Sequence, residues 1–456
     1  MANDWLSKLG QLVGPENVLT GDAVGPHFHH DESLTAPWGA PAAVVTPSER
    51  SQVGPLVETL SRNLLPIVPR GAGTGLSGGA NPSTGSVVLS TAKLNRLLDV
   101  SEADLIAEVE AGVTLADLDQ ALLKAGLIYP VYTGEMGATI GGNLATNAGG
   151  MRAVRYGVTR HNVTGLDFVD GLAKTVTAGG RFAKMSSGYD LTQLFIGSEG
   201  TLGVAVRALL RLRHRPPLSR SLLICLPSVE GASETARNAL ASGVSPGLLE
   251  YLEPPTFLLM ASAVGAEVPA NQIAEARALL LLELEGYDEL ALDRQVLATE
   301  NAAASGAATE IFELPVRAAS DVLRAREAAF WVAKSAGARD VVDAAIPPSQ
   351  LPRFLEGART IAERHGATVA CAGHLGDGNV HLSLFAPAPG PAHAAVTDIL
   401  ELGNAMGGVI SGEHGIGLAK RAQFLAHLEE ESYRIMREIK RVFDPAGIMN
   451  PGKVLP

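Results

Sequence analysis

Two histidines close together and a carboxylate further on are the residues most ready for chemistry. Ala370 to Phe385 contains His374-Leu-Gly-Asp-Gly-Asn-Val-His381 and reads as a β-hairpin turning at Asp377-Gly378, a preferred two-residue loop. Counting outward from that loop pairs His374 with His381 on one face, their Cβ atoms ~4.5–5.5 Å apart. Leu375 and Val380 fall on the other face, where burial is natural. Two imidazoles held that way can grip one cation. The same spacing equally suits a hairpin whose histidines only hydrogen-bond. A third ligand is available in Ser411-Gly-Glu413-His414-Gly-Ile-Gly417, a carboxylate on a glycine-flanked turn. Two histidines and one carboxylate leave open positions, as a catalytic divalent site requires. Glu413-His414 is not part of an H-E-x-x-H helix, so the pattern is not that of a zinc protease.

A second group of segments suits phosphate rather than metal. Pro69-Arg70-Gly71-Ala72-Gly73-Thr74-Gly75-Leu76-Ser77-Gly78-Gly79 offers successive backbone N–H groups with little side chain in the way. Gly73, Gly75 and Gly78 match the dinucleotide fingerprint, and Asp99 lies about 20 residues on, as that fingerprint asks. The context does not match. A Rossmann loop opens a helix, whereas here a turn to Gly85 leads into a strand at Val87 to Leu89. A glycine-rich surface turn is the plain alternative. Two further segments weigh against it: Thr139 to Gly150 and Gly197 to Gly203 are built the same way. Three such segments before residue 205 suggest one long ligand wrapped by the chain.

The motifs P-R-G-x-G-T-G-L-S-G-G, T-I-G-G-N-x-A-T-N-A-G-G and G-S-E-G-T-L-G-V resemble the FAD-binding domain of the vanillyl-alcohol oxidase superfamily. The branch they resemble is that of D-lactate dehydrogenase, glycolate oxidase and D-2-hydroxyglutarate dehydrogenase. The resemblance runs from about Ala40 to Lys453, with the motifs in the family's order. It implies an α+β fold, a vanillyl-alcohol-oxidase-type FAD-binding domain plus an α+β substrate (cap) domain. It also implies that Arg70, Gly71, Ala72, Gly73, Thr74, Gly75 and Ser77 cradle the pyrophosphate. Thr139, Gly142, Asn143, Thr146 and Gly149 would line the flavin and its ribityl chain. Glu199, Gly200 and Val204 would support the adenine half and the flavin wall, with Pro130 and Asn450 also at the cofactor. Thr74 stands where covalent members carry a histidine, which implies non-covalent FAD. One departure is Tyr129-Pro130-Val131-Tyr132, where many relatives carry Pro-x-Asp-Pro.

By the same resemblance His374, His381 and Glu413 ligate a divalent metal (Zn, Mn or Fe), and His414 is the base that takes the substrate hydroxyl proton. Its plain alternative is a structural group beside the ligands. Arg326 would clamp the substrate carboxylate, for which a planar guanidinium is well suited; the alternative is a solvated helix face, since Arg324, Arg326 and Glu327 crowd together. Arg326 keeps register with Asp343-Ala-Ala-Ile-Pro347, which resembles the family's D-x-x-x-P segment. Phe330, Val341 and Ser383 occupy positions where the hydroxyglutarate branch carries a threonine, a lysine and an asparagine for a distal carboxylate. The expected substrate is therefore a D-lactate-like monocarboxylate, oxidised to the 2-oxo acid. Rival readings are a D-2-hydroxyglutarate dehydrogenase, a glycolate oxidase catalytic subunit, an alkylglycerone-phosphate-synthase-like transferase with Tyr433 as its nearest catalytic tyrosine, and a non-catalytic FAD subunit. The electron acceptor implied is a quinone, a cytochrome or an electron-transfer flavoprotein, and the assembly a homodimer or a subunit of an oxidase complex.

The elements that must position these groups divide the 456 residues into three stretches: 1–215 as the FAD-binding domain, 216–408 as the substrate domain, and 409–456 as a segment completing the active site. Ala43 to Val45 reads as a strand. Thr46 to Glu49 reads as a capping box with Pro47 opening a helix to about Arg62, followed by a strand at Leu65 to Val68. Val109 to Val113 reads as a strand, Thr114 as an N-cap, and Gly126 as the close of the next helix. Further on, Leu222 to Leu226 reads as a strand. Ala274 to Leu284 and Ala318 to Ala333 read as helices, with Leu279 to Leu282 the core of the first. Glu429 to Val442 reads as a last helix.

A net charge of -12 without a basic run argues against nucleic acid. Cys225 and Cys371 form no C-x-x-C pair and fit a reducing compartment. The start, MANDWLSKLGQLVGPENVL, reads as a short amphipathic helix rather than a secretion signal. No apolar run reaches the ~18–20 residues of a membrane span. The expected location is cytoplasmic, with membrane contact only at its periphery.

Overall fold

The computed structural model describes residues Asp4–Pro456. The described chain forms two compact units. The first comprises the chain up to Gly149, Val158–His214 and Glu413–Pro456; the second comprises Gly150–Gly157 and Arg215–Gly412.

In the first unit a four-stranded sheet runs in the order Val18–Leu19, Ala43–Val45, Val87–Ser90, Ile67–Arg70, its last three strands parallel. The helix Val53–Arg62 connects two of the parallel strands, and its Val53, Leu56, Val57 and Leu60 are fully buried. They pack into one core with Leu9 and Val13 of the helix Asp4–Val13; Met1 to Asn3 of the expected amino-terminal helix lie outside the described residues. The glycine loop leaves the carboxyl end of the strand Ile67–Arg70, where open parallel sheets present their ligand sites. It runs on to the strand Val87–Ser90 and not into a helix, as a non-Rossmann reading requires. A second sheet is antiparallel: Leu97–Ser101, Ile106–Glu110, Val204–Arg211, Val163–Val169, Thr175–Gly179.

Three boundaries differ from expectation for local reasons. The capping box is Glu49 with Gln52, not Thr46 with Glu49: Gln52 Oε1 accepts the N–H groups of Ser48 and Glu49, so Pro47 precedes the helix. The strand expected at Leu65 starts at Ile67, because Leu64 ends the helix in a left-handed conformation (φ 51°) and Leu65 N–H bonds back to Leu60. The strand expected over Val109–Val113 is Ile106–Glu110, and Thr114 caps the helix Leu115–Leu123 as read, accepting from Asp117 N–H.

The second unit is built on a seven-stranded antiparallel sheet in the order Glu310–Leu314, Leu218–Leu226, Ala278–Gly286, Pro246–Leu252, Thr368–His374, Asn379–Phe385, Asp340–Ala345. Leu279 to Leu282 form part of an inner strand, not the helix core expected from Ala274 to Leu284. A strand covered on both faces shows no alternation, and a short leucine run cannot announce its period. All four leucines are buried. The stretch Ala318 to Ala333 is helical but interrupted, as Val316–Glu327 and Ala329–Ser335.

Cross-strand register sorts this sheet into two unlike faces. Opposed pairs Glu250–His374, His374–Asn379, Ala372–His381 and His381–Asp343 place Glu250, His374, Asn379, His381 and Asp343 on one face. The alternating positions Tyr251, Cys371, Leu382 and Val342 are buried on the other. Five polar side chains on one inner face of a sheet mark that face for chemistry rather than packing.

Candidate functional site

In the first unit a cavity is lined by Arg70, Gly71, Ala72, Gly73, Thr74, Gly75, Ser77, Thr139, Gly142, Asn143, Thr146, Gly149, Glu199, Gly200 and Val204, together with Glu413 and His414. Pro130, buried, and Asn450 do not line it. Asn450 instead ties its parts together, Nδ2 donating to Gly79 O (2.9 Å) and Glu199 O (2.7 Å).

Close approach and backbone conformation account for the glycines. A Cβ on Gly71 would collide with the Thr139 hydroxyl, and one on Gly149 would lie 2.6 Å from Glu413 Oε2. Gly73 is left-handed (φ 78°), with the Arg70 guanidinium where its Cβ would be. Thr139 caps the helix Ile140–Thr146, its hydroxyl accepting from Gly142 N–H. Such a cradle of backbone and small side chains fits a long phosphate-linked cofactor.

Two of its polar side chains are spent on the protein itself. Arg70 donates to His27 O, His30 O and Ala80 O, so its charge anchors the preceding segment. Burial pushes its guanidinium down, against the pull of Asp31 and Glu32. Ser77 Oγ donates to Gly415 O at 2.8 Å and so fastens the glycine loop to the turn that carries Glu413 and His414.

Glu199 is buried in a left-handed conformation (φ 50°), and its carboxylate accepts from Ile416 N–H (2.7 Å) and Gly417 N–H (2.8 Å). Burial pushes the carboxyl up to about 7, although both amides and Lys420 act to lower it. Two charged residues here escaped sequence reasoning. Asp31 lines the cavity, 1% exposed. Lys453 donates to Asn81 O at 2.7 Å, and burial pushes its ammonium down to about 8. Nothing local marks their burial: Asp31 stands beside Glu32 in a polar stretch, and Lys453 lies in a short turn near the carboxyl end.

In the second unit the histidine hairpin has a different register from the one expected. The loop is Leu375–Gly378, four residues rather than two, so His374 opposes Asn379 and His381 opposes Ala372. His374 O accepts from both Asp377 N–H and Gly378 N–H, and Gly378 takes φ 81°. A slip of two residues preserves the face. The histidines are thus diagonal neighbours, and their Nε2 atoms are 3.3 Å apart with the rings edge-to-face. Two nitrogens ~2.0–2.1 Å from one tetrahedral ion stand about 3.4 Å apart. The pair fits a divalent metal.

Both rings are backed by buried carboxylates. Glu250 Oε1 accepts from His374 Nδ1 at 2.6 Å, and Asp343 Oδ1 stands 3.6 Å from His381 Nδ1. Asp343 Oδ2 accepts from Ser411 Oγ (2.7 Å). Arg326, 7% exposed, is no solvated helix residue: its Nε donates to Glu250 Oε2 at 2.7 Å. Burial would raise the Glu250 carboxyl, but His374 and Arg326, each donating a hydrogen bond to it, outweigh burial and hold it below the usual carboxylate range. Glu250 was missed by sequence reasoning, although a lone acid within Leu248-Leu249-Glu250-Tyr251-Leu252 was a signal. Beyond His381 the same face continues with Ser383, Val341 and Ala370, all uncharged. Lys334, exposed, lies over the rings of Phe330 (5.8 Å) and Trp331 (5.2 Å).

Comparison with known proteins places this geometry. Residues 41–179 match the FAD binding domain family, and residues 215–454 match the C-terminal domain of FAD linked oxidases. An uncharacterized FAD-linked oxidoreductase of Mycobacterium tuberculosis is 40% identical over 99% of both chains. The glycolate oxidase subunit GlcD of Bacillus subtilis is 32% identical, over 100% of this chain and 97% of its own. A D-lactate dehydrogenase of Archaeoglobus fulgidus is 34% identical, over 99% and 98%. Among solved structures, p-cresol methylhydroxylase aligns with a TM-score of 0.82 at 16% identity, covering 99% of this chain and 96% of that one. Alkyldihydroxyacetonephosphate synthase aligns at 0.77 and 17%, covering 99% and 84%. At those identities the two structures establish a shared fold, the vanillyl-alcohol-oxidase-type α+β fold. With both domain families matched and full-length relatives of 32–40% identity, the chain belongs to the FAD-linked oxidoreductases of the D-lactate dehydrogenase and glycolate oxidase branch.

Proposed function

We propose that the protein oxidises a D-2-hydroxy acid, a D-lactate-like monocarboxylate, to the 2-oxo acid, using non-covalent FAD and a divalent metal. The observation that carries this reading is the His374–His381 pair, its Nε2 atoms 3.3 Å apart, in a chain whose relatives include proteins named D-lactate dehydrogenase and glycolate oxidase.

FAD, when bound, supplies the acceptor for the hydride of C2, and a metal ion supplies Lewis acidity toward the hydroxyl oxygen. His374 and His381 would hold the metal through Nε2; Glu413 as third ligand follows from the resemblance. Arg326 binds the substrate carboxylate through its terminal amino groups, its Nε being occupied by Glu250. His414 takes the hydroxyl proton onto its imidazole, the role for which a neutral histidine is suited. Its backbone is held for this by Ser77, whose hydroxyl donates toward the carbonyls of His414 (3.1 Å) and Gly415 (2.8 Å). The uncharged Val341, Ser383 and Ala370 beside His381 favour a small or apolar substrate tail over a second carboxylate.

Turnover with D-lactate and an artificial dye acceptor tests the reaction. One pyruvate should form per two electrons delivered. Dye reduction without a 2-oxo acid product would refute the reading.

A further inference from the structure

Glu250 is fully buried on an inner strand, flanked in sequence by Leu249 and Tyr251. A leucine there would avoid the desolvation that a buried charge suffers. The carboxylate instead divides its two oxygens: Oε1 accepts from His374 Nδ1 (2.6 Å) and Oε2 from Arg326 Nε (2.7 Å). An ionised carboxylate can only accept, so both partners must donate. That places the His374 proton on Nδ1 and its lone pair on Nε2, the atom that faces His381. The same carboxylate occupies Arg326 Nε–H and leaves the terminal amino groups to form a fork for a second carboxylate.

We infer that Glu250 is a positioning residue coupling the metal ligand His374 to the substrate clamp Arg326, so that one side chain sets both metal and hydroxy-acid binding. The inference rests on the metal and clamp roles proposed above. Glu250→Gln tests it: the amide keeps the volume but accepts through one oxygen and turns an NH2 toward the other donor.

Zinc affinity of the FAD-loaded protein, read by competition with a chromophoric chelator, should fall about 10–100-fold. The KM for D-lactate should rise about tenfold, with FAD content unchanged. If His374→Ala abolishes zinc binding while Glu250→Gln binds zinc as the wild type does, the inference fails and the metal reading stands. Zinc loss without a change in KM would likewise overturn the coupling. If His374→Ala keeps its zinc, the metal reading fails and the inference with it. Should Glu250→Gln not fold, 15N-histidine spectra of the unmodified zinc-loaded protein decide: a His374 proton on Nδ1 supports the inference, and one on Nε2 overturns it.

Discussion

His374 Nε2 and His381 Nε2 stand 3.3 Å apart, and each ring turns its Nδ1 toward a buried carboxylate, Glu250 or Asp343. Glu250 holds the His374 proton on Nδ1 and so turns a lone pair on Nε2 toward His381, where a cation between the two rings would be gripped. His374→Ala and His381→Ala should each lower the metal content of the purified protein at least tenfold (roughly the loss expected for a missing ligand or its support). Elemental analysis beside the flavin absorbance checks this, and the flavin should be retained.

Gly71 stands against the Thr139 hydroxyl with no room for a methyl group. Overpacking of this kind costs about 1–3 kcal/mol, or roughly a 10–100-fold loss of affinity if it falls on the cofactor. Gly71→Ala should therefore be purified largely without FAD. A wild-type ratio of flavin to protein absorbance would show that the glycine loop does not hold the cofactor.

Glu199 gives the stability a definite pH dependence. Its carboxyl is raised to about 7 in the fold, above the roughly 4.3 of an unfolded chain. Between those values the folded state holds a proton that the unfolded state has lost, so stability falls as pH rises. The group's contribution is complete below about pH 4.5 and lost by about pH 7, at up to ~1.4 kcal/mol per pH unit. Glu199→Gln cannot ionise. Its urea midpoint should gain on that of the wild type between pH 5 and pH 8, and a difference that does not vary with pH would contradict the assignment.

Val341 and Ser383 place uncharged side chains on the face beside His381. D-lactate should be used with a higher kcat/KM than D-2-hydroxyglutarate. Val341→Lys should move that ratio toward the dicarboxylate by about tenfold or more, the size expected when a charge gains its partner. Steady-state kinetics with both acids would show it.

The glycine loop was legible because backbone geometry leaves its mark in composition: a Cβ on Gly71 would meet the Thr139 hydroxyl, and Gly73 takes a left-handed conformation (φ 78°). The shared face of the histidines was legible too, since the side-chain period of two survives a slip of two residues. Their register was not. The turn residues Asp377-Gly378 suit a tight loop, and the longer one is set by Asp377 and Gly378 N–H groups converging on His374 O. The leucine strand Ala278–Gly286 misled because burial on both faces erases its alternation. Glu250 lies 124 residues from His374, and only the pairing of their strands brings them together.

On the proposed function, the metal and the flavin act together on a D-2-hydroxy acid. The most direct test of this is anaerobic mixing of the FAD-loaded protein with D-lactate, following the flavin absorbance before and after chelation of all metal. The flavin should bleach in the metal-loaded protein, fail to bleach after chelation, and bleach again when Zn, Mn or Fe is restored. Bleaching at an unchanged rate after complete metal removal would contradict it.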